Sequence, residues 1–100
     1  MKEELAPAMR AGIDQLCKRH KIKELSLFGS RVRGDFTATS DFDFLVEFLP
    51  DANIGLYEYS GIQVELEDML GQRVDLVTKK GLKPLIKDQI LADAEIIYEA

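Results

Sequence analysis

Cysteine is almost absent from this 100-residue chain: Cys17 is the only one, so no internal disulfide can form, which fits a reducing compartment. No His or Asp pattern surrounds it, and Cys17 reads as a small hydrophobe on a helix face rather than an activated thiol. Histidine is as scarce. The single one, His20, sits in the basic run Lys18-Arg19-His20-Lys21, where a solvated position at a helix C-terminus accounts for it without catalysis. No apolar run approaches the ~20 residues of a membrane span, and Met1-Lys2-Glu3-Glu4-Leu5 has no signal-peptide hydrophobic region, so a cytoplasmic protein without membrane attachment is expected. Excess positive charge is missing too: a net charge of −5 argues against a free-standing nucleic-acid binder, whose affinity comes mainly from basic contacts to phosphates. That acidity suits a cation site, a face for a basic protein partner, or plain solubility.

What is present describes an ordinary soluble globular chain, 46% hydrophobic and 31% charged. Residues 1–100 make one domain, with no room for a separate substrate domain, so a large ligand would be held at a surface or shared with a partner. Leu5, Met9, Ile13, Leu16 and Cys17 recur at helical spacing. Residues 25–28 form a short strand, and Phe42–Phe48 a longer one whose second half is apolar on both faces and therefore covered on both. After a loop at 50–55, Tyr59, Ile62, Leu66, Met69 and Leu70 make a helical stripe closed by Gly71 as a C-cap. Residues 74–77 are a third strand, a last helix runs through Leu82, Leu85, Ile86 and Ile90, and 96–98 form a short edge strand. The alternation α-β-α-β-α-β-α-β, without repeat, linker or low-complexity tract, predicts an α/β layer structure. It leaves the order of the strands open.

The chemistry-bearing residues lie in two stretches. Phe28-Gly29-Ser30-Arg31-Val32-Arg33-Gly34 reads as a strand entering a Gly-Ser turn, with Ser30 at a helix N-cap and Gly34 letting the chain leave sharply. Arg31 and Arg33 occupy a first helical turn, where the helix dipole disfavours cations; either an anion binds nearby or both are solvated. In Ser40-Asp41-Phe42-Asp43, the two aspartates face one way at the head of a strand, about 6.6 Å apart at a rise of ~3.3 Å per residue. Such a pair can converge on two cations ~3.5 to 4 Å apart, and crowding two like charges there is costly unless something positive binds between them. Asp75 stands within an apolar strand, where an unpaired buried carboxylate would cost several kcal/mol. Its partner is either Arg73, two residues back on the same face, or a metal and an acceptor hydroxyl for which Asp75 is the general base. Glu47, roughly 13 Å from Asp43 along the strand, is a poorer ligand candidate.

Gly-Ser with a downstream Gly, then Ser-Asp-x-Asp followed by hydrophobic residues, then a third Asp in a later hydrophobic strand, resembles the pattern of the DNA polymerase β nucleotidyltransferase superfamily. The likeness spans nearly the whole chain. It is greatest to the minimal nucleotidyltransferases (MNT), which often act as antitoxins beside a HEPN-domain RNase toxin. The resemblance implies a palm-like α/β fold, a mixed sheet flanked by helices; two Mg²⁺ ions on Asp41, Asp43 and Asp75; and ATP whose phosphates meet Gly29 and Ser30, with Arg33 beside them. An all-oxygen donor set independently favours Mg²⁺ or Mn²⁺ over zinc. Val32 stands where this group commonly has alanine, a small apolar change. Two functions are expected from this: transfer of AMP from ATP to a hydroxyl, that of a tyrosine, on a cognate HEPN toxin held in a hetero-oligomer, or steric neutralisation of that toxin by a non-catalytic antitoxin. A transferase acting on a small molecule such as an aminoglycoside fits less well, for want of a second domain.

Overall fold

The computed structural model describes residues 5–34, 37 and 41–100, and its elements keep the expected alternation. Helix α1, Pro7–Arg19, opens on a proline, whose missing N–H costs nothing in the first turn, and ends on Lys18 and Arg19. Ile13, Leu16 and Cys17 form its buried face. Burial pushes the Cys17 thiol up to about 12, with Asp14 adding to the shift, which keeps it protonated and inert as expected.

Strand β1, Ile22–Phe28, is longer than residues 25–28. A bulge between Ile22 and Glu24 puts Ile22 and Leu25 in the same core although their spacing is odd, and that hides the strand's start from a period-two reading. A single helical turn, α2 (Ser30–Arg33), lies between Gly29 and Gly34, and strand β2 is Phe42–Phe48. Helix α3, Leu56–Leu70, stops at Gly71, whose left-handed φ of 69° closes the last turn with an N–H to the Glu67 carbonyl at 2.8 Å. Strand β3, Val74–Thr78, a 3₁₀ turn at Lys79–Gly81, helix α4 at Pro84–Asp93 and strand β4 at Glu95–Glu99 complete the chain.

The sheet is mixed, in the order β3-β2-β1-β4, with β1 antiparallel to β2 and β4 and β2 parallel to β3. Phe42, Phe44 and Val46 turn one face of β2 toward α1 and α3, where they pack with Ile22, Leu25, Leu27, Leu76, Ile13, Leu16, Ile62 and Leu66. Burying each such side chain contributes about 1.5 to 3 kcal/mol. The opposite face carries Asp41, Asp43, Leu45 and Glu47. Leu45 is 1% exposed and its β1 neighbour Ser26 3%, so the middle of β2 is covered on both sides. Helix α4 lies against β1 but buries none of its own residues, and Leu85 is 97% exposed.

One expectation fails at the end of α1. His20 is not solvated: its side chain is 14% exposed, with Nδ1 at 2.8 Å from Glu58 Oε2 and Nε2 at 3.0 Å from Glu65 Oε1. Both carboxylates come from α3, so the histidine ties two helices together, a contact that local sequence does not reveal. Among the described residues, no helix is long and apolar enough to cross a membrane.

Candidate active site

Sheet register assembles the site. Asp43 pairs with Phe28 of antiparallel β1 on one side and with Asp75 of parallel β3 on the other. Asp41 lies two residues before it and, by alternation, on the same face. Phe28 ends β1, so Gly29 arrives directly at Asp43. Gly29 has a φ of 83°, and a methyl group there would lie 3.1 Å from the Asp43 Cγ and overlap its Oδ2. Glycine is therefore required twice over, for the backbone and for the space. Gly34, at φ 91°, ends α2 in the left-handed conformation and turns the chain away, as expected.

The electrostatics follow from this crowding. Burial raises the Asp43 carboxyl above its ordinary range, Asp75 and then Asp41 push it further, and only Arg33 draws it back. Asp43 thus lies within the electric field of all three charged partners expected from the sequence. Asp41 and Asp43 are half-buried.

Asp75 reaches this place for a different reason from the one expected. It is exposed, not buried, because its face of the edge strand β3 points away from the core, and the premise of a buried carboxylate in need of a partner fails. Among the described residues it forms no ion pair with Arg73, so it stands at the site without that neutralising contact.

The turn also differs in detail. Gly29 is the N-cap and Ser30 the first helical residue, and no side chain caps the helix, so Ser30 is not the cap that its type suggests. Residues enter helix one position earlier because the Gly29 carbonyl accepts from both Val32 and Arg33 at 3.1 Å. Arg31 is 5% exposed rather than solvated, its guanidinium 4.2 Å from the centroid of the Phe42 ring, a cation–π contact that ties α2 to the head of β2. Arg33 is exposed. Residues 1–4 and Ser40 lie outside the described residues.

Glu47, discounted as a ligand, is held at the other end of β2 by Lys79 at 3.3 Å and Lys23 at 3.7 Å. A groove of about 440 Å³ opens near it, lined by Phe48, Pro50, Ile54 and Lys80 among others, and contains none of the three aspartates. Sequence reasoning missed the side chains of α3 that hold β3. Tyr59 donates to the Leu76 carbonyl at 2.5 Å, Gln63 to the Val74 carbonyl at 2.9 Å, and Glu67 accepts from the Val74 N–H at 3.1 Å. Their four-residue spacing was the available signal.

Among the described residues, no three His, Cys, Asp or Glu side chains are already gathered as a metal cage. The donors nonetheless suit a hard divalent cation: they are all carboxylates, they share one face, and Asp43 is held at a charge density that a cation would relieve.

A sequence model of the nucleotidyltransferase domain matches residues 9–97. The chain is 36% identical over 96 residues to a protein named protein adenylyltransferase MntA of Thermococcus cleftensis, covering 96% of this chain and 93% of that one. A solved structure named for a minimal nucleotidyltransferase superposes with a TM-score of 0.74 at 36% identity, over 88% of each chain. At 18% identity and a TM-score of 0.67, over 93% of this chain and 71% of that one, the fold is shared with a complex of an MNT antitoxin and a tri-AMPylated HEPN toxin of Shewanella oneidensis.

Proposed function

The chain belongs to the nucleotidyltransferase domain family, and we propose that it moves AMP from ATP to a tyrosine hydroxyl of a cognate HEPN-domain toxin, acting as that toxin's antitoxin. The observation that carries this reading is the register of β2 and β3, which sets Asp43 beside Asp75 while Gly29 packs against the Asp43 carboxylate. The relatives named protein adenylyltransferase support the acceptor class, and the AMPylated toxin complex supports the partner. The partner would supply the acceptor surface, in a hetero-oligomer within the cytoplasm.

In the transfer, the acceptor oxygen attacks the α-phosphorus, the bond to the β-phosphate oxygen breaks, pyrophosphate leaves, and Asp75 takes the proton of the hydroxyl. Exposure suits Asp75 to this work, because a base must be reachable by an acceptor on another protein. Gly29, whose side-chain space is taken by the Asp43 carboxylate, meets the triphosphate through its backbone, the Ser30 hydroxyl donates to a phosphate oxygen, and Arg33 offsets negative charge beside Asp43. Asp41, Asp43 and Asp75 would hold two Mg²⁺ ions, or Mn²⁺, which when bound would neutralise the phosphates and favour attack at phosphorus.

The test is toxin suppression by wild type and by Asp75→Asn at matched expression, with complex formation followed in parallel. Loss of suppression in a variant that still binds the toxin is the expected result. Undiminished suppression would replace catalysis by steric neutralisation.

A further inference from the structure

We propose that Tyr59, Gln63 and Glu67 of α3 are positioning residues of the transfer site, holding β3 in register so that Asp75 stays opposite Asp43; this rests on the reading of Asp75 as the base. Among the described residues, strand β3 is an edge strand of five residues, bonded to β2 on one side only. Its pairing with β2 is parallel, the weaker kind per residue. In such a ladder alternate residues bond the neighbouring strand and the others point outward. The Arg73 carbonyl accepts from Phe42 at 2.9 Å, so Val74 and Leu76, the two neighbours of Asp75, direct their peptide groups to the open side.

The three α3 side chains meet those outward groups. Glu67 and Gln63 take the N–H and the carbonyl of Val74, and Tyr59 takes the carbonyl of Leu76. Four helical residues rise about 6 Å and two strand residues about 6.6 Å, which matches Tyr59 and Gln63 to Leu76 and Val74, while Glu67, one turn further on, reaches the N–H of the same Val74. The helix substitutes for a missing fifth strand. A slip of one residue would turn Asp75 to the core side and bring Val74 into the site. Tyr59 is itself anchored. The Tyr59 ring packs on Phe48, 6.4 Å between centroids, and burial, with Asp75 adding to it, holds the phenol above its ordinary pKa so that it remains a donor.

The experiment measures AMP transfer from α-labelled ATP with Mg²⁺ to the co-purified HEPN-domain toxin, together with melting temperature and amide exchange over residues 74–78. It compares Tyr59→Phe, which keeps the ring, Gln63→Leu, Glu67→Ala and Glu67→Gln, which can still accept from Val74, with Asp75→Asn as reference. Loss of positioning is expected to lower kcat by about 10- to 100-fold with KM for ATP little changed, and to speed exchange at Val74, whose N–H donates to Glu67, and at Asp75 and Val77, whose amides face β2, in proteins still folded at the assay temperature. Glu67→Gln should retain most of the wild-type kcat. If Asp75→Asn abolishes transfer while Tyr59→Phe, Gln63→Leu and Glu67→Ala all keep kcat within about twofold, or if Glu67→Gln fails as badly as Glu67→Ala, the positioning role is overturned and the reading of the site stands. Loss of kcat only in variants that also melt below the assay temperature overturns it equally, in favour of a purely structural edge cap. Unchanged transfer by Asp75→Asn would overturn the site reading itself.

Discussion

Strand β2 presents two carboxylates on one face, Asp43 and Glu47, four residues apart and in opposite electrostatic states. At the Glu47 end the carboxylates of β1 and β2 are paired: Lys79 binds both Glu24 and Glu47, and Lys23 adds a second cation. The Glu47 carboxyl is held below its ordinary value, mainly by the Lys79 hydrogen bond. At the Asp43 end burial is the largest cause that pushes the carboxyl up, Asp75 and Asp41 add to it, and Arg33 offsets them only in part. The same strand thus balances charge at one end and leaves it unbalanced at the other. Net acidity therefore does not explain the aspartates, since this fold has the means to pair a carboxylate and uses them where no chemistry is required.

The largest effect should come from exchanging the two ends as targets. Asp43→Asn is expected to lower AMP transfer by about 10² to 10⁴-fold, whereas Glu47→Gln should leave it within about threefold, both read by label transfer from ATP. Without Mg²⁺, Asp43→Asn should melt no lower than wild type, because like-charge repulsion is relieved. Gly29→Ala should come next. A left-handed φ and overlap with the Asp43 carboxylate together cost about 1 to 3 kcal/mol, seen as a lower melting temperature with a loss of transfer.

A smaller effect should turn the paired end into a copy of the other. Lys79→Met leaves Glu24 opposite Glu47 across β1 and β2, and should cost about 1 kcal/mol of stability with transfer within about twofold of wild type. The smallest effect is the pH dependence, which has opposite signs at the two ends. The folded-state value of Asp43 is raised, so its penalty is absent below the unfolded carboxylate pKa of about 4 and appears as pH rises through the folded value. That of Glu47 is lowered, so its contribution is present above about 4 and is lost as pH falls through the folded value. Melting curves in chelator should show Asp43→Asn gaining on wild type, and Glu47→Gln losing slightly, only toward neutral pH. Parallel profiles for the two variants would break the comparison.

The aspartates, Gly29, the long strand β2 and the Gly71 helix stop were legible because each depends on local chemistry: a like-charge pair, a positive φ, an apolar run, a C-cap. What depended on tertiary pairing was not. Asp75 sits among Val74, Leu76 and Val77 and so reads as buried, yet its exposure is set by the edge place of β3 and the open face there. Arg31 reads as either the partner of an anion or a solvated cation until Phe42 is brought beneath it. The bulge in β1 breaks the alternation that would have extended the strand to Ile22. Tyr59, Gln63 and Glu67 have meaning only once β3 is known to lack a second neighbour.

The central claim is that the unbalanced end of β2 is a site of AMP transfer to a partner protein, and separately labelled ATP tests it most directly. Wild type, Asp43→Asn and Glu47→Gln are each incubated with Mg²⁺, the HEPN-domain toxin and ATP carrying label at either the α- or the γ-phosphate. The predicted result is label on the toxin from α-labelled ATP alone, with wild type and Glu47→Gln but not with Asp43→Asn. Label from the γ-phosphate, or undiminished transfer by Asp43→Asn, would contradict it.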